Sequence, residues 1–436
     1  MIEEKDKQDE YEEFLENEGA GQSAEENEIL DRSFEELRKP GELVVGLDIG
    51  TTKICCVVGE AREDGVEVIG VGTAASLGIK KGVVVNIEST VKAIREAVRM
   101  AREDADCELC QVYVGIAGDH IKGFNSPGII VLNNRKIGPD DINDVITAAS
   151  TVKISENQQV IHVMPQEYMV DDHTGIQNAV GMTGVRLATN VHMVTADKNA
   201  VDNLYTCCNM AGLEVAGFAL ESIASAEAAL SDDELELGVA LLDIGGGTTD
   251  LAVFYDGTIR HTCEFAIGGH YLTFDLAESF RTTMQDAERL KRDYGNALPD
   301  TIKPNLVVDV PTVGHREPTP ITQRLLVEII NARVVEILKM VNKELVVSGN
   351  KSCIKGGLVI TGGTALLANL VELAEEMFEL PVRIGYPVNI SGDIDKLKNP
   401  GFTTAAGLTI YGSKHNVHGI VREKSFFDRI MGWIKR

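Results

Sequence analysis

Long apolar runs and metal-binding histidine pairs are both missing from this sequence of 436 residues. No run approaches the about 18 apolar residues of a membrane-spanning helix, which argues against one. The nine histidines form no HxxxH or HExxH pattern, so the sequence gives no sign of a protein-ligated metal or of histidine-based catalysis. The acidic start, MIEEKDKQDEYEEF, lacks the apolar core of a signal peptide. We expect a protein that stays in the cytosol unless another feature takes it to a surface.

Basic side chains are the minority: 41 Lys and Arg stand against 67 Asp and Glu, a formal net charge of -26. A body this acidic repels phosphate polymers, which argues against nucleic-acid binding through a basic face. Aromatic residues are scarce at 5%, whereas the 44% hydrophobic and 25% charged fractions are those of a globular protein. The length suffices for about three domains.

The eight cysteines do not form a disulfide framework. Two pairs are adjacent in sequence, at Cys55–Cys56 and Cys207–Cys208, and Cys107 and Cys110 form a lone CxxC without a second pair at zinc-ribbon spacing. A redox or metal role for that CxxC is one interpretation. Buried or idle thiols in a reducing compartment are the interpretation that the pattern favours.

The first 40 residues carry 15 acidic and 5 basic side chains and few apolar ones. Such a segment buries too little apolar surface to offset its ordering entropy, so we predict a disordered acidic arm over 1–40 with a short helix around Phe34–Leu37. A solubilising tail and a partner-binding arm are both compatible with it.

An internal repeat begins immediately after this arm. The segment LVVGLDIGTTKICCVVGEAREDGVEVIGVG starts at Leu43, and GVALLDIGGGTTDLAVFYDGTIRHTCEFAIGG starts at Gly238. Each reads as strand, tight turn, strand, followed by a third strand beyond a glycine-containing turn. The Asp-Ile-Gly triplets begin at Asp48 and Asp243. A repeat with this wide spacing is not a solenoid, so the sequence predicts two similar α/β domains in one chain.

The segments around the repeats suggest further units. A helix near Ile87–Ala101 and a strand at Gln111–Ile116 lie in an insertion, and a Pro-rich loop precedes a long helix from about Pro320 to Val347. The predicted organisation is as follows: an arm at 1–40, a first domain at 41–76 and 166–236, an inserted α/β subdomain at 77–165, a second domain at 237–284 and 351–411, its helical subdomain at 285–350, a linker at 412–421 and an amphipathic helix at 422–436.

The paired turns have the chemistry of a phosphate site. Glycine lets the backbone approach closely and present N–H groups to anionic oxygens. Threonine hydroxyls and Lys53 add donors, and Asp48 and Asp243 can hold Mg²⁺ through water, because Mg²⁺ keeps several of its waters. Two such hairpins facing each other can clamp the β and γ phosphates of a nucleotide, and a later VITGG adds a third glycine turn.

These motifs resemble the superfamily of actin, sugar-kinase and heat-shock-chaperone ATPases over residues 43 to about 411. The resemblance implies an actin-like α/β fold, two similar domains around a nucleotide cleft, and ATP with Mg²⁺ as cofactors. It places Glu221 where relatives orient the attacking water, but a plain polar connector is an equal explanation, so we expect at most slow ATP hydrolysis. The nucleotide-binding residues that it implies are Gly50, Thr51, Thr52, Lys53, Gly245, Gly246, Gly247, Thr248, Glu288, Lys291, Gly362 and Gly363.

Within that superfamily the chain resembles the FtsA family of bacterial cell-division proteins, through ELVVGLDIGTTKI, ESIASAEAAL, GVALLDIGGGTTDLAVF and AERLKRDYG. The resemblance implies filaments of the protein itself, attachment of FtsZ filaments to the cytoplasmic face of the cell membrane at midcell, and recruitment of later division proteins. It also implies that Arg324, Asn331 and Arg333 receive the C-terminal tail of FtsZ. Ordinary surface positions on a core helix explain these three residues equally well.

The last fifteen residues, REKSFFDRIMGWIKR, carry a net charge of +3 at the end of an acidic chain. Wound as a helix, their large apolar side chains fall within roughly 160°, and Asp428, Arg429, Gly432, Lys435 and Arg436 fall on the other side. This pattern predicts a helix that lies on an anionic membrane surface, and a helix docked on the core is the alternative. The apolar face consists of Phe426, Phe427, Ile430, Met431, Trp433 and Ile434.

Two other functions use the same clamp. One is a small-molecule kinase or fast ATPase, and the other is an adaptor similar to the pilus protein PilM or the cell-shape protein MreB. The inserted subdomain and the amphipathic terminus favour the FtsA family over both. The long acidic arm and the short linker depart from that family's pattern.

Overall fold

The computed structural model describes residues 41–303, 306–313 and 316–415, so the acidic arm and the amphipathic terminus lie outside the described residues. The fold begins with three antiparallel strands, β1 (Leu43–Ile49), β2 (Lys53–Arg62) and β3 (Gly65–Ala75). Almost every residue of β1 and β2 is buried, as expected for a sheet that is covered on both faces. The predicted strand–turn–strand pattern is confirmed here.

A small hairpin and a helix follow these strands. The hairpin consists of β4 (Ile79–Lys80) and β5 (Val83–Val84), and α1 spans Ile87–Ala105, four residues beyond its predicted end. Helix α1 packs closely on β3, because a Cβ at Gly72 would lie 2.0 Å from the carbonyl oxygen of Ala97.

The next strand, β6 (Gln111–Ile116), pairs in parallel with β1. The first sheet is completed later in the chain by β11 (Glu214–Leu220), beside β6, and by the short strand β19 (Ser391–Gly392), beside β3. Its order is β11-β6-β1-β2-β3-β19.

A separate compact unit comprises residues 126–152 and 167–191 of the described chain. Its elements are β7 (Lys122–Lys136), α2 (Pro139–Ser150), β8 (Gln158–Val170), β9 (His173–Ile176) and β10 (Thr183–Asp197), and the sheet order is β7-β10-β8-β9. Its own apolar core includes Leu132, Val145 and Leu187.

The predicted boundaries of this insertion, 77–165, were wrong at both ends. Helix α1 packs on the first sheet and β6 pairs in it, whereas the inserted unit extends to residue 191. The apolar pattern of a strand shows that it is buried, but it does not show which sheet the strand joins. That choice depends on parallel pairing with a distant strand.

Three helices follow the inserted unit, one before β11 and two between β11 and the second sheet. Helix α3 (Lys198–Ala211) ends at Gly212, whose φ of 90° is the left-handed conformation that glycine tolerates best. Helix α4 (Glu221–Ala229) follows β11 directly, and α5 (Asp232–Leu237) begins with a capping box between Ser231 and Glu234.

The second sheet repeats the first. It consists of β12 (Val239–Ile244), β13 (Thr249–Tyr255), β14 (Thr258–Phe265), β17 (Leu358–Thr361) and β18 (Val382–Ile384), in the order β14-β13-β12-β17-β18. The first three strands are antiparallel and the last two are parallel additions, as in the first sheet. The repeat that the sequence shows over three strands therefore covers five.

The region between β14 and β17 covers one face of the second sheet. It contains α6 (Gly269–Phe280), α7 (Met284–Tyr294), a hairpin of β15 (Val307–Thr312) and β16 (Arg316–Thr322), and α8 (Gln323–Val347). The predicted Pro-rich loop is wrong, because this segment forms the β15–β16 hairpin, and Pro320 lies in β16 rather than in α8. A two-stranded hairpin tolerates proline because every strand in it is an edge.

The chain then returns to the first sheet. After α9 (Leu370–Phe378) and β18, the short strand β19 (Ser391–Gly392) pairs with β3, and α10 (Thr403–Lys414) packs against β1. The prediction that 351–411 belongs entirely to the second domain was wrong for this last part. The predicted linker at 412–421 also begins too early, because α10 continues to Lys414.

Within the described ranges, no helix is both long and apolar enough to cross a membrane.

Candidate functional site

Two equivalent hairpins form the centre of the site. Asp48 faces Cys55 across the β1–β2 hairpin, and Asp243 faces Asp250 across the β12–β13 hairpin. Both hairpins have the same register, so the repeat aligns without a gap and Lys53 takes the place of Thr248. Their turns consist of residues 50–53 and 245–248.

The two turns contact each other. A Cβ at Gly246 would lie 1.9 Å from Thr52 Oγ1, and a Cβ at Gly247 would lie 2.2 Å from Thr51 Oγ1. Glycine is therefore required at both positions, and the predicted turn residues of the two sheets come together. Because the turns are glycine-rich and threonine-lined, they offer backbone N–H and hydroxyl donors to an anion.

Asp243 is held in place by two hydroxyl groups. Ser225 Oγ donates to Asp243 Oδ2 at 2.8 Å, and Thr404 Oγ1 donates to the same oxygen at 3.1 Å. These residues come from α4 and α10, and the sequence analysis missed both. Burial raises the pKa of Asp243, although the two hydroxyl groups oppose this shift.

Asp48 and Glu221 are close to Asp243 in an acidic environment. Burial raises the pKa of Asp48 to about 7, with Lys53 opposing the shift and Asp243 adding to it. The pKa of Glu221 is also raised well above its usual range, by burial and then by Asp48, Asp250 and Asp243. Lys53 is the cation that acts on Asp48 and Asp243.

A pair of buried carboxyl groups lies beneath the second turn and was also missed. Asp250 on β13 faces Glu264 on β14, and the Thr248 hydroxyl donates to Asp250 Oδ2 at 3.1 Å. No other group of the described chain donates to Asp250 Oδ1 or to either oxygen of Glu264, which fits a pair of carboxyl groups that share a proton. Burial raises the pKa of Glu264 to about 8. The sign in the sequence was the Asp250 that ends the GGGTTD motif.

We expect Glu264→Gln to raise the free energy of unfolding at pH 8 by about 1–3 kcal/mol. Folding raises the pKa of Glu264 from 4.5 to about 8, so its contribution to stability is complete below pH 4.5 and is lost as the pH rises through 8. Glutamine mimics the protonated form at every pH. Urea unfolding between pH 5 and 8.5, without Mg²⁺, measures this effect.

The matched control for that variant is Glu278→Gln, which changes an exposed side chain on α6 by the same atoms. The pH dependence of its free energy of unfolding should match that of the unchanged protein. If the free energy of unfolding of Glu264→Gln changes with pH as steeply as that of the control, the shared proton is contradicted.

A third glycine turn, at Gly362 and Gly363, and an ion pair on α7 lie near the two hairpins. Gly362 has a φ of 84°, and a Cβ there would lie 2.4 Å from Asp243 Oδ1, whereas Gly363 faces open space. Lys291 and Glu288 form an ion pair at 2.7 Å. Lys291 Nζ also donates to the carbonyl oxygen of Gly269, which connects the pair to the second turn through one residue.

The three α8 residues predicted for a partner peptide lie apart from these turns and are engaged within the chain. Arg324 pairs with Asp300 and Glu328, Asn331 donates to the carbonyl oxygen of Ala297, and Arg333 pairs with Asp275 and Glu336. Asn331 and Arg333 are partly buried, so the prediction that the helix exposes them was wrong for these two, whereas 43% of the Arg324 side chain is exposed, as predicted. Asp300, Ala297 and Asp275 are distant in sequence from these residues, and Glu328 and Glu336 lie one turn further along α8.

In the described part of the chain, no three Asp, Glu, His or Cys side chains are placed to ligate an ion together. Two carboxyl groups on facing strand ends are still a suitable pair for an ion that keeps its water shell, as Mg²⁺ does.

The repeated sheets and the facing hairpins define the class of this protein: it has the actin-like fold. Among solved structures, the PilM–PilN type IV pilus biogenesis complex matches with a TM-score of 0.63 at 16% identity, over 86% of this chain and 99% of that one. MreB5 of Spiroplasma citri bound to ADP matches with a TM-score of 0.52 at 15% identity, over 89% and 98%.

Two family profiles and several relatives identify the family. "Cell division protein FtsA" matches residues 240–407, and "SHS2 domain inserted in FTSA" matches 118–195. The FtsA proteins of Pseudomonas aeruginosa and of Escherichia coli K12 are 44% and 38% identical, over 87% and 91% of this chain and 91% and 96% of their own lengths. The chain belongs to the FtsA family, and its role is in cell division.

Proposed function

We propose that the chain is an ATP-binding, filament-forming adaptor that anchors FtsZ filaments to the inner face of the cell membrane at the division site and recruits later division proteins. The observation that carries this proposal is the pair of matched Asp-Ile-Gly hairpins in contact within an FtsA-family fold. The amphipathic, basic terminus supports the membrane part.

The nucleotide is ATP with Mg²⁺. The two glycine turns hold the phosphates through backbone N–H groups and through Thr51, Thr52, Lys53 and Thr248. Asp48 and Asp243 hold Mg²⁺ through water, and the bound ion supplies charge neutralisation for the phosphates. The turn at Gly362 and Gly363 and the pair of Glu288 and Lys291 take the adenosine part. A neighbour of the same fold, MreB5, is described as bound to ADP, which supports this assignment.

ATP hydrolysis is slow. The candidate for orienting water is Glu221, a position that a plain polar connector explains equally well. Burial and the neighbouring Asp48, Asp250 and Asp243 raise the pKa of this carboxyl group. The protein therefore uses ATP to hold a conformation, and turnover is secondary.

The membrane contact is made by the C-terminal residues 422–436. Six apolar side chains, inserted in part, contribute several kcal/mol when discounted from about 1.5–3 kcal/mol each for full burial. Basic residues near anionic lipid add about 1 kcal/mol each. A single tail thus binds reversibly, whereas a filament that presents many tails binds far more tightly.

His415, the last described residue before this tail, is held against the body. The Tyr113 hydroxyl donates to the carbonyl oxygen of His415 at 2.8 Å, and the His415 ring stacks on Tyr411 at 3.9 Å. Only six residues, 416–421, separate this point from the amphipathic segment, and they span at most about 20 Å. The body consequently stays close to the bilayer.

The FtsZ tail, which is acidic and apolar, binds at α8. Arg324 and Arg333 can each offer a bidentate contact to a carboxylate if the peptide replaces the present acidic partners. The face of α8 formed by Ala332, Val335, Lys339 and Met340 is a shallow, open surface that can receive the apolar part.

Co-sedimentation with anionic liposomes tests this function. We expect the full chain to pellet with lipid, more strongly with Mg-ATP, and a chain that ends at Gly419 to remain in solution. Phe427→Glu should behave as the shortened chain does, because it places a charge on the apolar face. Ser425→Glu is the matched control, since it adds the same charge on the polar face and should still pellet.

The opposite result would remove the membrane anchor. If the full chain and the shortened chain both remain in solution with Mg-ATP, a soluble kinase or ATPase of the same superfamily becomes the better proposal. A peptide of the FtsZ tail, tested by fluorescence anisotropy against Arg333→Ala, then decides the partner contact separately.

A further inference from the structure

The hairpin of β4 and β5 lies directly beside the first turn. Its own turn contains Lys81, with a φ of 54°, and Gly82, with a φ of 77°. The left-handed conformation is unfavourable for lysine, which has a Cβ, so the surrounding contacts must hold it there.

Those contacts connect the hairpin to the first sheet at two points. The Gly82 N–H donates to Thr51 Oγ1 at 3.3 Å, which attaches the hairpin to the first turn. A Cβ at Gly82 would lie 2.6 Å from the carbonyl oxygen of Ala117, so the hairpin is also pressed against the loop after β6. The position of Lys81 therefore depends on the position of Thr51.

The side chain of Lys81 contacts α6, a helix that packs on the second sheet. Its Nζ lies 5.5 Å from the ring centroid of Tyr271 on α6, within the range of a cation–π contact. A hydrogen bond with the Tyr271 hydroxyl group raises the pKa of Lys81, which keeps the lysine charged.

Tyr271 is in turn fixed to the second turn. The N–H groups of Gly269 and His270 donate to the carbonyl oxygens of Gly245 and Gly246, at 2.9 and 2.8 Å. The contact between Lys81 and Tyr271 thus has one end attached to each turn, and it closes the gap between the two sheets beside the predicted phosphate positions.

The Tyr271 ring also contacts the helix proposed for the partner peptide. The Arg333 Cζ lies 5.6 Å from the ring centroid, and the guanidinium is oriented by a bidentate pairing with Asp275. Tyr271 is therefore the residue where the β4–β5 hairpin and α8 meet.

We propose that Lys81 and Tyr271 form a latch across the nucleotide cleft that slows the release of a bound nucleoside triphosphate. Lys81 is a positioning residue that acts by holding the two turns together. This proposal rests on the proposed ATP site and adds to it the element that keeps the site closed.

Stopped-flow release of a fluorescent ATP analogue from the full chain, chased with unlabelled ATP, tests the latch. We expect Lys81→Ala to increase the dissociation rate constant about three- to fivefold with little change in the association rate constant. Lys80→Ala is the matched control, because Lys80 is the preceding residue, is exposed, and carries the same charge. It should change the dissociation rate constant by less than about 1.5-fold.

A second pair of variants separates the latch from general damage to the fold. Tyr271→Phe keeps the ring and should give a smaller increase than Tyr271→Ala, whereas His270→Ala, an exposed neighbour, should give none. Lys81→Arg retains a cation and should restore most of the slow release. A structural defect would not follow this order.

The outcomes distinguish this proposal from the one on which it rests. If the unchanged protein retains the analogue but Lys81→Ala and Lys80→Ala release it equally fast, the latch is overturned and the ATP site stands. If the unchanged protein does not bind the analogue, the ATP site and the latch both fall.

Discussion

Replacing Lys53 with methionine is expected to lower the affinity for Mg-ATP by at least about 30-fold, because a charge-assisted contact to a phosphate contributes about 2–3 kcal/mol. Lys53 is the cation that opposes the raised pKa values of Asp48 and Asp243. Without it, a triphosphate would enter a site lined by uncompensated carboxyl groups. Equilibrium titration with a fluorescent ATP analogue in Mg²⁺ measures the loss.

The fold should survive this change. Lys53 Nζ lies 3.7 Å from the centroid of the Phe402 ring, and methionine keeps an apolar contact with that ring while losing the charge. Lys92→Met removes the same charge from the exposed face of α1 and is the control, with unchanged affinity expected. Equal affinities for the two variants would exclude Lys53 from the phosphate site.

Replacing Gly407 with alanine is expected to cost at least about 3 kcal/mol of the free energy of unfolding, at the upper end of overpacking effects. A Cβ at this position would lie 1.7 Å from the carbonyl oxygen of Ala224 and 2.4 Å from its carbonyl carbon. Both atoms are backbone, so no side-chain rotation relieves the clash, and α4 and α10 must separate. The gain of about 1 kcal/mol in helix propensity offsets only part of this cost.

The same change should weaken ATP binding. Ser225 on α4 and Thr404 on α10 both donate to Asp243, so separating the helices moves the groups that position that carboxylate. Urea unfolding and the ATP titration measure the two effects on one sample. Gly217→Ala is the control, since its new Cβ would meet only ordinary contacts, 3.6 Å from the ring of Tyr113. A Gly407→Ala variant as stable as the control would contradict the close crossing.

The hairpin pair could be predicted because its information is local. The register of an antiparallel hairpin is set by its turn, so a strand, a four-residue turn and a second strand suffice to place Asp48 and Asp243 at matching positions. The helix end at Gly212 is similarly local, since capping depends on neighbouring residues.

Interactions between distant residues explain the predictions that failed. The insertion was given the wrong boundaries because β6 joins β1 by parallel pairing, across more than 60 residues. Ser225 and Thr404 were missed for the same reason, since they meet only where α4 crosses α10. Asn331 and Arg333 were expected to be exposed, but Asn331 donates to the carbonyl oxygen of Ala297 and Arg333 pairs with Asp275, and both partners lie outside α8.

The sequence by itself determined that the chain has two α/β halves with facing Asp-Ile-Gly turns, and that its terminus is basic and amphipathic. Both features are patterns within short segments, where the spacing of apolar, glycine and charged residues fixes the local geometry. The tertiary structure alone decided which strands complete each sheet, which hydroxyl groups hold Asp243, and that Asp250 and Glu264 share a buried position. These depend on contacts between residues far apart in the chain, because only packing brings such groups to a common place.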